Sequence, residues 1–255
     1  MTNGNLSQLV TIIKKAVVFH MLKKGVLLVF GSLFMTGKNH AQPGSLEIEL
    51  LARLDSVSCS PAVSRHFATL YLTTTFNAVD FFYDRDPRTR ELMERLEARF
   101  AGYFFRSVNA YHDKTPIPVE WKAYYEDPAA TELSYILYGI NAHINGDIWQ
   151  ALTTEFTLEE IRELKPGYFS YYKGLTRIYN EVYEMALSQS LKLRFLHTIT
   201  LGLDRPYGRF LLAKWRRRQM RLAEWYYTNK PLFEKKKKKL ERKKKHLDRL
   251  IRKNV

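Results

Sequence analysis

Two polar pairs interrupt an apolar stretch of the 255-residue chain: His143 with Asp147, and Asn141 with Asn145. On a helix, residues four apart share a face, so each pair can touch. An imidazole beside a carboxylate forms either an oriented general base or part of a metal site, and imidazole with carboxylate suits zinc or iron. We take His143 and Asp147 as the candidate catalytic centre and as tentative ligands of a single zinc or iron ion. Asn141 and Asn145 are candidates for orienting a substrate. The alternative reading is structural, because a buried polar group left unpaired costs about 1–3 kcal/mol; the four residues would then hydrogen-bond neighbouring helices and fix their packing.

These residues need an element to carry them. On a helical wheel Leu133, Ile136, Ile140, Ile144 and Ala151 share one broad apolar face, and Leu137, Ile148 and Leu152 widen it, so 133–152 reads as a central helix buried nearly all round. Gly139, Ala142 and Gly146 form a stripe of small residues on it. A mid-helix glycine costs about 1 kcal/mol relative to alanine, so the stripe implies close approach by a helix or a ligand.

The segment Asn141-Ala142-His143-Ile144-Asn145-Gly146-Asp147 resembles the signature Gly-x-Asn-Ala-His-Ile-Asn-x-Asp-Leu of a domain family of unknown function, with Ile148 in place of the Leu. Two further stretches resemble that family more weakly: Leu70-Tyr71-Leu72 with Thr75, and Ile117-Pro118-Val119-Glu120-Trp121. The resemblance covers roughly 62–230 and implies a domain and a site but no reaction. His143 to Asp147 also superficially resembles the His-x-x-Gly-Asp segment of helical zinc phospholipases and single-strand nucleases. The likeness stops there, since those sites use three zinc ions and more histidines than His66, His112, His143 and His197 provide.

Around the central helix the chain reads as helix after helix. Pro61 opens a segment to about Tyr83, and Asp84-Arg85-Asp86-Pro87 ends it. Leu92, Leu96, Phe100, Phe104 and Val108 mark an amphipathic helix over 88–112. Thr115-Pro116-Ile117-Pro118 breaks the chain before a short helix around 119–125. Thr157 with Glu160 is a capping box for a helix that Pro166-Gly167 is expected to close, and helices follow over 168–190 and 206–228. No strand alternation is sustained. The expected fold is therefore all-α: a single-domain multi-helix bundle over 45–230, with 234–255 as a Lys/Arg-rich helical extension. Its 16 Tyr and 15 Phe cluster, as in Phe81-Phe82-Tyr83 and Tyr168 to Tyr172, which suits a core or the walls of a pocket for an apolar small molecule or lipid.

Charge and cysteine content exclude several classes. The net charge is +15, but 234–255 holds twelve basic and three acidic residues, and 1–41 holds five basic and none acidic. The remainder is nearly neutral, so specific nucleic-acid binding is not expected; anionic surface contact through 234–255 is the alternative. Cys59 is the only cysteine, which rules out an internal disulfide or a multi-thiolate metal site. It falls in Ser56 to Pro61, which reads as a loop leading into a helix. Serine-hydrolase chemistry lacks its Gly-x-Ser-x-Gly turn, and a di-iron bundle its paired Glu-x-x-His.

The first forty residues contain no Asp or Glu. Lys23-Lys24, the apolar run Gly25–Met35 and His40-Ala41-Gln42 read as the three regions of a cleaved signal peptide over 21–41, which implies export to the periplasm or medium. Residues 1–20 would be an upstream extension. The function that follows is an exported all-α protein acting through Asn141 to Asp147, as an enzyme of hydrolase type. The alternatives are a binding module for an apolar ligand and a cell-envelope protein acting through its basic tail.

Overall fold

The computed structural model describes residues 45–255, and the described residues form helices joined by loops, with no strand. The expected upstream extension 1–20 and signal peptide 21–41 lie outside the described residues. The elements are α1 (Ser45–Cys59), α2 (Arg65–Tyr83), α3 (Pro87–His112), α4 (Lys122–Glu126), α5 (Glu132–Ala142), a π-helical turn (His143–Asp147), α6 (Ile148–Glu155), α7 (Leu158–Ser170), α8 (Tyr172–Gln189), α9 (Leu191–Ile199), α10 (Asp204–Thr228) and α11 (Lys230–Asn254).

Local chemistry sets most boundaries. Asp86 caps α3 by accepting from the Thr89 N–H at 2.9 Å, and Pro87, whose missing N–H costs nothing there, occupies the first turn. Thr157 and Glu160 form the capping box of α7 in both directions. Asn229 caps α11 through the Leu232 N–H.

Several expected boundaries shift; the helix expected from Pro61 begins at Arg65, and the one expected from 168 begins at Tyr172. Pro166 lies inside α7 rather than ending it, and the helix runs on to Ser170. Ser56 to Cys59 form the last turn of α1, so Cys59 is an exposed helix-end residue rather than part of a loop.

The core has two lobes that meet at the central helix. One is built on Phe67, Tyr71, Phe104, Trp121, Tyr124 and Tyr138, the other on Leu92, Leu96, Leu152, Ile161, Leu164 and Met220. Trp121, Tyr124, Tyr138 and Phe104 are wholly buried, and fully burying a large apolar side chain stabilises by about 1.5–3 kcal/mol.

The Lys/Arg-rich segment is helical, as expected of an extension over 234–255, and as α11 it packs along α5, the π-helical turn and α10. Phe233, Leu240 and Lys244 are buried on it, and Phe233 packs edge-on against Trp149 of α6. Apart from the buried Lys244 and its partner Asp248, most of its charges occupy the outer face, so the helix is amphipathic, with one side in the core.

Candidate functional site

The central helix is not uniform. Thr131 caps it by accepting from the Ser134 N–H, and α5 runs regularly to Ala142. At His143–Asp147 it widens into a π turn, with the Ile148 N–H bonded to the His143 carbonyl five residues back. Such turns insert one residue into an α-helix and are frequent at functional sites. Gln150 donates its side-chain amide to the Gly146 carbonyl at 2.9 Å, supporting the widened turn. Glycine is required at 146, because a Cβ there would lie 2.6 Å from Glu120 Cγ. At Gly139 the close neighbour is the Phe67 ring of α2. The small-residue stripe therefore admits protein side chains.

His143 and Asp147 do meet. His143 Nδ1 lies 3.0 Å from Asp147 Oδ2, and the same oxygen accepts from Trp121 Nε1 at 3.0 Å. With Asp147 as the carboxylate, Nδ1 carries the proton and Nε2 the lone pair. Phe100 stacks on the imidazole with ring centres 3.4 Å apart, and Tyr71 meets it edge-on at 4.4 Å. His143 is 4% exposed, and its Nε2 has no hydrogen-bond partner. Burial drives both groups towards their uncharged forms. It pulls the imidazole well below its ordinary value and pushes the Asp147 carboxyl well above its own, Glu120 adding to the second shift.

Asn141 and Asn145 serve another contact. Asn141 Nδ2 donates to the Lys244 carbonyl at 3.1 Å and to Asp248 Oδ1 at 2.7 Å, and its own oxygen accepts from Asn145 Nδ2 at 2.9 Å. Lys244 closes the group with a 2.9 Å bond to Asp248. Asn141 thus fastens α11 to the central helix, the packing role, while it also borders the cavity beside His143 and Asn145 Oδ1 has no hydrogen-bond partner.

The dyad borders a cavity of about 380 Å³ enclosed by α2, α3, the central helix, α8, α10 and α11. Its walls are overwhelmingly apolar, with Leu70, Phe100, Ile144, Leu175, Trp215 and Leu247 each from a different element. A few polar groups break them: His143, Tyr71, Tyr168, Glu97 and Arg216. The Tyr71 and Tyr168 hydroxyls and Arg216 Nη1 have no hydrogen-bond partner. Burial pushes the Glu97 carboxyl up to about 7, the nearby Arg216 guanidinium partly offsetting it.

Glu97 and Arg216 were not singled out from the sequence, although a signal was present. Glu97 follows Met93 by four and precedes Phe100 by three, on an apolar face; Arg216 stands midway between the buried Leu212 and Met220. A charge on a buried helical stripe marks either an internal ion pair or a site. Trp121 and Tyr71 came into view only through the family-like stretches, and the structure brings both stretches against the dyad.

The tentative metal does not fit this donor set. Zinc takes three or four protein ligands, and among the described residues no group of three or more His, Cys, Asp or Glu could hold a metal ion. His66 stacks on Tyr135 and faces Glu132 at 3.7 Å. Asp80 and Asp84 are exposed near the end of α2. Asp147 Oδ2 is already occupied by two donors.

Fold and site together define an all-α bundle whose broken central helix presents a His–Asp pair at the wall of an apolar cavity. The sequence profile described as "Family of unknown function (DUF5995)" matches residues 48–254, and the chain belongs to that family. The match includes α11. No curated protein and no solved structure matches the chain.

Proposed function

We propose that the protein binds an apolar small molecule bearing one hydrogen-bonding group, a lipid-like or ring-shaped compound, inside the cavity. The observation that carries this reading is the combination in one 380 Å³ space of aromatic and aliphatic walls with polar atoms that have no protein partner. Ligand sites have this size and composition, with a few polar groups fixing orientation. The test is extraction of the purified full chain into organic solvent with mass spectrometry, alongside titration with the fluorescent probe N-phenyl-1-naphthylamine. Leu175→Trp, which fills part of the cavity, should weaken probe binding at least tenfold. A chain that carries no extractable ligand and binds the probe no better than Leu175→Trp would refute the reading.

A catalytic reading has its own support: His143 Nε2 has no hydrogen-bond partner while Nδ1 lies against Asp147 Oδ2, the arrangement of an oriented general base when Asp147 is the carboxylate. The ligand would then be a substrate, and His143→Gln would abolish turnover while leaving probe binding intact. Export through the 21–41 signal belongs to the same proposal, supported by the acid-free composition of the first forty residues. N-terminal sequencing of the mature protein tests it; a mature chain still beginning upstream of residue 21 would refute it.

A further inference from the structure

The region 191–210 exposes apolar side chains in an unbroken series. Leu191, Phe195 and Ile199 stand four apart on α9 and are all exposed. In the turn Leu201 is 90% exposed at φ 52°, and Leu203 follows it. On α10 the exposed Tyr207 and Phe210 rings stack at 6.4 Å. A left-handed backbone is unfavourable for leucine, so the turn holds a bulky apolar side chain outward at a conformational cost.

The hairpin is firmly built. Tyr183 of α8 donates to Asp204 and lies 2.7 Å from His197 Nδ1, while Thr200 donates to Asp204 at 3.0 Å.

The charge beside this ridge is basic. No acidic residue occurs between Met185 and Leu203, where Lys192 and Arg194 are exposed. Lys214 lies 5.5 Å over the Phe210 ring, joining the ridge to a cationic cluster of Lys214, Arg218, Lys239 and Lys243 drawn from α10 and α11. Arg218, followed by burial, Lys239 and Lys214, pulls the Lys243 ammonium below its ordinary value, as crowded like charges do.

We propose that the α9–α10 ridge and this cationic cluster form one docking face for an anionic lipid bilayer. The cluster suits acidic headgroups, and the ridge suits the acyl boundary, as in interfacial amphipathic helices. Nucleic acid or acidic polysaccharide would satisfy the cations but offer no apolar phase to Phe195 or Leu201. A two-fold dimer centred on this face would oppose like charges. No helix among the described residues is long and apolar enough to cross a membrane. Tyr183, Gly208 and Leu211 border the cavity from the same hairpin, which places the docking face beside it, although docking does not depend on the cavity being filled.

The experiment is co-sedimentation of the full chain with vesicles of phosphatidylcholine alone or mixed with phosphatidylglycerol, at low and high salt. Phe195→Asp/Leu201→Asp and Lys239→Glu/Lys243→Glu are compared with the parent chain, with melting temperatures confirming that both pairs fold. The expected result is binding to the phosphatidylglycerol vesicles that salt weakens, and that each pair lowers at least tenfold. Equal binding by parent and variants would overturn the proposal by assigning the contact to another part of the chain. So would no binding by the parent, or a stable dimer by light scattering that Phe195→Asp/Leu201→Asp disperses.

Discussion

Asp147 Oδ2 stands 3.0 Å from Nδ1 of His143 across the widened turn that both residues occupy, and the same oxygen receives the Trp121 indole N–H. One carboxylate oxygen thus joins the central helix to the segment before α4. Asp147→Ala leaves two buried donors unpaired and should lower unfolding free energy by about 2–5 kcal/mol. Asp147→Asn keeps one acceptor and should lose about half as much. Urea denaturation followed by circular dichroism distinguishes them, and equal losses would show that packing, not hydrogen bonding, is at stake.

Glu97 titrates at about 7 in the fold against an ordinary value of 4.5. The folded state therefore holds this proton more tightly than the unfolded one, so its contribution to stability falls as pH rises from about 4.5 to 7 and is level above that. The full change is on the order of 3 kcal/mol. Glu97→Gln should raise the melting temperature at pH 8 and leave it nearly unchanged at pH 4.5. Parallel profiles for the two proteins would show that Glu97 keeps an ordinary affinity for its proton.

Gly146→Ala places a methyl group against Glu120 and should destabilise by about 1–3 kcal/mol. Adding Glu120→Gly removes both the Cγ and the Cβ that crowd this position and leaves the helix-propensity gain of alanine over glycine at 146, about 1 kcal/mol. A double-mutant cycle reads the relief directly, and additive losses would place the strain elsewhere.

Removing residues 230–255 should do more than lower the charge. It strips the partners of Asn141, uncovers Leu222 and Trp149, and opens the cavity at Leu247 and Ile251. The expected result is loss of cooperative thermal unfolding. A truncated chain that melted at the parent temperature would return α11 to the status of an appendage.

Much of the helical framework was legible because it rests on local chemistry. Asp86-Pro87 and Thr157 with Glu160 announce helix starts through hydrogen bonds made within one turn. The central helix was legible from its apolar circumference, and the pairing of His143 with Asp147 from their spacing. The π turn was not, because one inserted residue leaves no trace in an apolar run. The helical form of the basic segment was legible too, because Phe233 and Leu240, seven apart, mark an apolar face, and that face is the buried one. A proline disrupts backbone bonding and so signals a helix end at Pro166, yet packing carries α7 through it. Glu97 and Arg216 needed the fold itself, since only tertiary packing brings α3 and α10 to one cavity.

The fastening of Asn141 to Lys244 and Asp248 spans 103 and 107 residues of chain. During synthesis the central helix emerges long before the helix that anchors it, and the cavity lacks part of its wall until Ile251 has been made. Closing so long a loop is slow relative to local helix formation. The nascent chain therefore passes through a stage in which its helices exist but its cavity is open to water, and closure of that cavity is a late event of folding.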